Sequence, residues 1–229
     1  QAIDARCETF ASLIQAPWSI PYRSCWNEGW ENEANESISS DLHRAIFGQI
    51  MVATLACDIL RSLGVEPQAA LGYSLGESAS LVALQAWTDC DGMYHAMESS
   101  TLFREDLGGP CLAARTAFGV PDGVEWQWTV TLLSHPVEKV RPLLQEYSDV
   151  ALMIVNTDDE CVIGGGRDSI LAISQRLGGK NFLLDAIPAV HCKVVEPVRQ
   201  AYRDIHLTQT QAPPGIRFYS AYRAESYIP

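Results

Sequence analysis

The chain has few basic side chains. Lysine and arginine together number 16 against 28 aspartates and glutamates, which leaves a formal net charge of −12 at pH 7. Nucleic acids and anionic membrane surfaces both bind basic protein faces, so this balance argues against either of them as a partner. It leaves room for one local basic patch that receives a phosphorylated carrier.

Long apolar runs and patterned cysteines are also lacking. No uninterrupted apolar run approaches the roughly 20 residues that span a bilayer, and no charged-then-apolar signal peptide opens the sequence. The seven cysteines are dispersed without a C-x-x-C spacing, which predicts neither zinc ligation nor a disulfide framework. Reduced thiols of this kind are typical of a cytoplasmic protein, and we expect no bound metal.

The feature that carries most chemical information is the hexapeptide at 72–77, which reads Gly-Tyr-Ser-Leu-Gly-Glu. It contains G-x-S-x-G, the nucleophile-elbow pattern, in which a serine sits on a sharp strand-to-helix turn and glycine permits close backbone approach on either side. An apolar strand ending at Leu71 and a helix-competent run over 78–86 supply that context. The pattern predicts Ser74 as a nucleophile and the N–H of Leu75 as an oxyanion donor. A chance match is the alternative, because a bare G-x-S-x-G is common.

A nucleophilic serine needs a general base, and histidine is the usual one near neutral pH. His191 stands at a bend, with Pro188 before it and a predicted helix after it, where a loop can face a cleft. Cys192 follows it and is interpreted as a small packing residue. The position by itself leaves the choice of base open. The other histidines are interpreted as surface or satisfied polar residues: His43, His95, His135 and His206.

Hydrophobic periodicity predicts a long buried helix from Asp41 to Leu63, ahead of the elbow. The elbow helix is expected to end near Trp87, and a further helix to occupy part of 91–108. Near the end of the sequence, 194–205 has a helical pattern and 215–222 a strand pattern.

Between these segments the sequence predicts a compact α+β subdomain of ferredoxin-like type. Pro142 is expected to kink its first helix. Gly164–Gly166 is interpreted as a tight turn into the second helix, because it lacks the Lys-Ser/Thr of a phosphate loop. The predicted order is strand, strand, helix, strand, strand, helix, strand, over 111–118, 124–133, 136–147, 150–155, 160–163, 167–177 and 181–187.

The hexapeptide resembles the G-H-S-x-G-E motif of the malonyl-CoA:acyl-carrier-protein acyltransferase family. Its members are free enzymes of fatty acid synthesis or domains of polyketide synthases. The family inserts a ferredoxin-like subdomain between the serine and a histidine about 100 to 120 residues later, in a motif ending His-Ser or His-Cys. Here His191-Cys192 ends such a motif, and His191 follows Ser74 by 117 residues. Val155-Asn156 and Val162–Gly165 are similar to the family stretch V-N-x-P-x-x-x-V-I-x-G, with Asp158 in place of its proline. The likeness covers about 41–205 and is greatest to the acyltransferase subunit of bacterial polyunsaturated fatty acid synthases.

The resemblance implies an α/β fold class: a hydrolase-like core with a parallel sheet over 1–109 and 188–229, and an inserted ferredoxin-like α+β subdomain over 110–187. It implies an acyltransferase in which His191 is the base and Ser74 carries the acyl group, by ping-pong chemistry. The expected substrates are thioesters of coenzyme A or phosphopantetheine, with no bound cofactor. The expected partners are an acyl carrier protein, acyl-CoA and other synthase subunits or domains.

Departures from the family pattern concern the acyl group. Tyr73 replaces a histidine that helps to hold a malonyl carboxylate, and Ser99 stands where the family has the arginine that clamps it; Arg104 is the nearest arginine. A buried carboxylate without that guanidinium would be unpaired at a cost of several kcal/mol, so we expect a neutral acetyl or longer acyl group. Asn156 is a weaker candidate for substrate binding, with turn formation as its equal alternative.

A third departure is that the family's Gly-Gln-Gly oxyanion loop has no counterpart in residues 1–20. Three alternatives to an acyltransferase follow from the same residues. A thioesterase would use Ser74 and His191 with water as the acceptor. A non-catalytic docking domain of a synthase is disfavoured because both residues are retained. An α/β-hydrolase is disfavoured because it expects an acid between the serine and the histidine and lacks the inserted subdomain.

Overall fold

A computed structural model of the chain describes residues 41–184 and 187–229, together with Cys7, Glu8, Gly29, Asn32 and Glu36. The expectation about an oxyanion loop in residues 1–20, and positions 185 and 186 of the last predicted subdomain strand, lie outside the described residues. Contacts divide the chain into two units. One combines the described part of Gln1–Ser99 with Ile205–Pro229, and the other is Ser100–Asp204.

The described elements follow one another in a mixed order of helices and strands. They are α1 (Leu42–Ser62), β1 (Ala69–Gly72), α2 (Leu75–Ala83), α3 (Cys90–Ser99), a π-helical turn (Leu102–Asp106), α4 (Leu112–Phe118), β2 (Trp128–Leu133), α5 (Val137–Leu144), β3 (Val150–Thr157), β4 (Glu160–Gly166), α6 (Arg167–Leu177), β5 (Asn181–Leu184), a 3-10 helix (Lys193–Val198), α7 (Arg199–Asp204), β6 (Arg217–Ser220) and β7 (Glu225–Tyr227).

Helix α1 is the longest described element of the first unit, and it confirms the helix predicted over 41–63. The predicted burial is wrong for its C-terminal half, where Leu55, Ile59 and Leu60 are exposed. The Asp41 carboxylate caps it by accepting hydrogen bonds from the backbone N–H groups of His43 and Arg44, at 3.0 and 3.2 Å. Its buried face includes Phe47 and Ile50, and it packs against α2. By length and composition α1 could cross a membrane, which is weak support for such a role, since core helices of soluble proteins pass the same test.

The sheet of the first unit joins segments that are distant in sequence. Strand β1 pairs parallel with β6, with Ala69 opposite Arg217, and β7 adds an antiparallel edge to β6. The core around this sheet contains Phe218 and Leu81, both buried. The predicted strand over 215–222 is confirmed at 217–220, whereas β7 was not predicted, because three residues are too few to show an alternating pattern.

The second unit contains a four-stranded antiparallel sheet in the order β3-β4-β2-β5. Its elements run β2-α5-β3-β4-α6-β5, which is the ferredoxin-like order, so that prediction is confirmed. Helix α5 contains Pro142, and the predicted kink there stays a prediction. The predicted helix over 194–205 begins as the 3-10 turn, which contains Pro197, and becomes α-helical only at Arg199.

The strand predicted over Cys111–Phe118 is wrong, because this segment is α4. The apparent alternation there came from apolar residues two apart, but the buried pair is Ala113 and the adjacent Ala114, which no strand would place on one face. Alanine is the strongest helix former, and Gly119 in the left-handed conformation ends the helix. Removing this strand leaves the ferredoxin-like order without a surplus element.

The tight turn predicted at Gly164–Gly166 is also wrong, because all three glycines lie in β4 and α6 begins only at Arg167. These glycines are needed because neighbouring groups leave no room for a side chain, and not because the backbone turns. A Cβ at Gly165, for example, would overlap the backbone oxygen of Asp149. The two faces of the sheet bury separate clusters. Ile163 and Ile170 belong to the helix-covered cluster.

Candidate active site

Ser74 lies in the turn between β1 and α2, so the strand-turn-helix context predicted for the hexapeptide is confirmed. Its backbone has φ 51° and ψ −120°, a conformation that non-glycine residues rarely adopt and that concentrates at functional sites. The turn is closed by two backbone hydrogen bonds, from Gly76 N to Tyr73 O at 2.8 Å and from Glu77 N to Ser74 O at 3.0 Å. The serine is thus held exposed at the N-terminus of a helix.

Leu75 is the first residue of α2. The first N–H groups of an α-helix have no partner within the helix and attract negative charge. The position of Leu75 therefore agrees with the oxyanion donor predicted from the sequence, and that role stays a prediction.

The turn depends on a close backbone approach at Gly72. This residue is buried, and a Cβ there would overlap the backbone of Gly76 and Glu77. At Gly76 a Cβ would meet no described atom within 4 Å apart from its chain neighbours and the backbone of its own helix. The described structure therefore shows the close approach on one side of the serine, where the sequence analysis expected it on both.

Helix α2 has a support that the sequence analysis missed. The Tyr227 hydroxyl of β7 donates a hydrogen bond to the Glu77 carboxylate in the first turn of α2, and burial together with this bond raises the pKa of Tyr227. Tyr227 also packs against Phe218, with ring centroids 6.0 Å apart. No local pattern signals this contact, because its two partners are 150 residues apart in the sequence.

His191 lies in the second unit, in the segment between β5 and the 3-10 helix, and it also has a positive φ, of 59°. Two backbone hydrogen bonds shape the segment before it: Ala189 N donates to Leu107 O at 2.8 Å, and Val190 N donates to Pro188 O at 2.9 Å. Although the residue has an exposed surface, partial burial of the ring lowers the pKa of His191, because desolvation disfavours the charged imidazolium. The ring is therefore biased toward the neutral form that a general base requires.

Cys192, directly after His191, is half-buried and packs against the sheet cluster around Val130. Burial raises the pKa of its thiol, which opposes the thiolate that nucleophilic chemistry needs. This agrees with the interpretation of Cys192 as a packing residue.

The predicted substrate-binding residues occupy different settings. Tyr73 is exposed in the elbow, next to Ser74. Ser99 ends α3, where its hydroxyl donates to Ala96 O at 3.1 Å. Asn156 lies in β3 beside a β-bulge, and its Nδ2 donates to Glu160 Oε1 of β4 at 2.8 Å. Its part in substrate binding stays a prediction.

The structure thus brings Ser74, Leu75 and Tyr73 together in one turn and places Ser99 in the same unit, while His191 and Asn156 belong to the other unit. The pairing of Ser74 with His191 stays a prediction. Among the residues that the structure describes, no group of three or more histidine, cysteine, aspartate or glutamate side chains could hold a metal ion.

Comparison with known proteins supplies the family. Residues 32–227 match a family model described as the acyl transferase domain. Among curated proteins, the 6-methylsalicylic acid synthase of Penicillium patulum is 24% identical over 73% of this chain and 9% of its own length. One subunit of the polyunsaturated fatty acid synthase of Thraustochytrium sp. is 26% identical over 93% of this chain and 11% of its own length. The chain therefore spans only a small part of these relatives.

Solved structures agree in fold. The acyltransferase domain from the second module of the salinomycin polyketide synthase superposes with a TM-score of 0.64 at 18% identity, over 99% of this chain and 48% of that one. The malonyl-CoA:acyl carrier protein transacylase of Helicobacter pylori gives 0.66 at 16% identity, over 100% and 68%. At these identities the likeness shows the fold alone, and it confirms the predicted fold class.

The two glycines of the elbow give a matched test of its geometry. We expect Gly72→Ala to lower the free energy of unfolding by about 1–3 kcal/mol, because its Cβ overlaps backbone that has no room to move. Gly76→Ala should change it by less than about 1 kcal/mol. Urea unfolding of the two variants beside the wild type measures both values, and equal losses would contradict the asymmetry.

Proposed function

The chain belongs to the acyl transferase domain family, and on that basis we propose that it moves an acyl group from a thioester, through an ester on Ser74, to the phosphopantetheine thiol of an acyl carrier protein. The observation that carries the proposal is the strained, exposed Ser74 at the start of α2. Its relatives by sequence are synthases that are several times longer than this chain. We therefore propose that the acyl carrier protein belongs to such a synthase. The acyl donor is then either a thioester within the synthase or acyl-CoA.

The proposed reaction has two halves. His191 takes the proton of the Ser74 hydroxyl while the serine oxygen attacks the thioester carbonyl, and the carbonyl electron pair moves to an oxyanion that accepts a hydrogen bond from Leu75 N–H. Collapse breaks the carbon–sulfur bond, His191 returns the proton to the leaving thiolate, and an acyl-serine ester remains. The carrier thiol then attacks this ester by the same steps in reverse, which regenerates the serine.

The first test asks whether Ser74 carries the acyl group. Incubation with acetyl-CoA should add one acetyl mass to the intact protein, and Ser74→Ala should abolish that adduct without changing the unfolding midpoint. Ser78→Ala, at the next serine of α2, is the matched control and should keep the adduct. An adduct that survives on Ser74→Ala would overturn the assignment, and hydrolysis of the ester that outpaces its transfer to a carrier would favour the thioesterase.

The pH dependence of loading tests the base. Because burial lowers the pKa of His191, the neutral ring persists to lower pH than in an exposed histidine. We expect the initial loading rate to fall as the pH is lowered, with a midpoint below about 6.5. The unfolded chain binds this proton more readily, so the contribution of His191 to stability should decrease as the pH falls from its ordinary pKa to its folded pKa.

Two histidine variants separate the fall of the loading rate at low pH from the titration of other groups. His191→Gln should remove this pH dependence and most of the loading rate. His95→Gln, on the exposed side of α3, should keep the pH dependence and the rate. A midpoint above that of an ordinary histidine would contradict the role of His191.

Substrate choice is the third test. The family resemblance assigns Tyr73 and Ser99 to the positions of the carboxylate-binding histidine and arginine. Arg115 already donates to the backbone oxygens of Pro121 and Val124, at 3.0 and 2.9 Å. A malonyl carboxylate bound without a guanidinium loses a bidentate, charge-assisted contact. We therefore expect acetyl or longer neutral acyl thioesters to load Ser74 more than about a hundredfold faster than malonyl-CoA.

Competition between acetyl-CoA and malonyl-CoA, read as the ratio of the two mass adducts, measures this preference. Ser99→Arg should shift the ratio toward malonyl, and Ser99→Gln, which adds length without charge, should not. A wild-type protein that prefers malonyl would show that another cation holds the carboxylate.

A further inference from the structure

We propose that Trp128 is a positioning residue for His191, acting through a hydrogen bond from its indole to the backbone of the segment that carries the histidine. The inference rests on the proposed function only for the role of His191 as a base. It also assigns a purpose to Gly164, which neither a turn nor a phosphate loop explains.

Residues 187–192, called here the His191 segment, precede the 3-10 helix, and Cys192 at their end packs on the sheet face away from α5 and α6. On β2, alternate side chains point to this face: Trp128, Val130 and Leu132. They belong to a cluster with Met153 of β3, and Cys192 packs on the same cluster. Because Cys192 directly follows His191, the backbone of His191 is held next to this face.

Trp128 reaches the start of that segment. Its Nε1 donates to the backbone oxygen of Ile187 at 3.2 Å. Ile187 precedes His191 by four residues in the sequence. The bond therefore fixes one end of the segment to the sheet.

The indole can lie there because β4 has no side chain at Gly164. A Cβ on Gly164 would overlap the six-membered ring of Trp128 and the sulfur of Met153. In the β2–β4 register Gly164 is opposite Val130, which lies two residues from Trp128 on the same strand face. The indole of Trp128 therefore packs into the space that Gly164 leaves on β4.

A second hydrogen bond holds the residues before His191, and its partner lies outside the sheet. Ala189 N donates to Leu107 O, next to the π-helical turn, at 2.8 Å. With Ile187 O and Ala189 N both held, few backbone torsions remain free before His191. That residue has a positive φ, which a non-glycine residue keeps only where its surroundings over-determine it. Loss of the Trp128 bond removes one of those determinants.

Trp126, two residues before β2, provides a matched control. Its Nε1 donates to Asp149 Oδ2 at 3.0 Å, and the other oxygen of that carboxylate accepts from Ser169 Oγ at 2.7 Å. The rings of Trp126 and Trp128 lie 6.4 Å apart. Phenylalanine at either position removes one indole N–H and retains an aromatic ring, but only the Trp128 bond ends on the His191 segment.

The experiment compares Trp128→Phe, Trp126→Phe and the wild type in two measurements on the full chain. In the first, we measure initial rates of acetyl loading on Ser74 over a range of acetyl-CoA concentrations. We expect Trp128→Phe to lower the maximal rate by about tenfold, because small misplacements of a reacting group cost one to two powers of ten. The half-saturating concentration should change less than twofold, since a positioning residue acts on the reacting imidazole and not on substrate binding. Trp126→Phe should keep both values within twofold.

In the second measurement, NMR follows the titration of the His191 imidazole, which needs no substrate. Trp128→Phe should move its midpoint toward that of an exposed histidine, and Trp126→Phe should leave it in place. An unchanged titration in Trp128→Phe, or equal shifts in both variants, would overturn the proposal. If the wild type fails to load while the titration shifts as expected, the positioning role stands and the proposed transferase function fails.

Discussion

The backbone contact at the elbow is the constraint on which the first unit depends. Gly72, at the end of β1, lies so close to the backbone of Gly76 and Glu77 that no side chain fits between them. That approach forces the chain to turn within two residues, and Ser74 adopts a positive φ as a consequence. Tyr227 contacts the first turn of the helix that follows, through its hydrogen bond to Glu77. A serine on a longer or looser turn would not be presented at the head of a helix in this way.

In the second unit, close approaches to glycine occur within a sheet. Three consecutive glycines in β4 would be costly in an ordinary strand, because glycine loses much conformational freedom on folding and offers nothing to pack. Here the missing side chains are replaced by neighbours: Trp128 lies over Gly164, and the Asp149 backbone approaches Gly165. The Asp149 carboxylate is bound by Trp126 and Ser169. The spaces beside these glycines, on both faces of the sheet, are therefore filled by neighbouring residues, some of which also bind other segments.

Much of this could be predicted from the sequence where the signal is local. The helical period of α1 and the G-x-S-x-G context both lie within short windows, and the helix and the strand-turn-helix were found in the structure. Helix α4 was mistaken for a strand because a few small apolar residues fit either period. The glycines of β4 were mistaken for a turn because their partners come from β2 and β3. The Tyr227–Glu77 bond had no signal at all, since it is a product of the tertiary fold.

Residues 74 and 191 share a property with consequences for how such a domain can change over generations. Both are non-glycine residues with positive φ, a conformation that glycine would adopt with less strain. Selection for stability alone would therefore favour glycine at these two positions and would erase the hydroxyl and the imidazole. Gln85, Cys111 and Ala224 also have a positive φ, so the strain by itself does not single out these two positions. Under the proposed function, residues 74 and 191 differ from those three because they would supply the hydroxyl and the imidazole of the reaction.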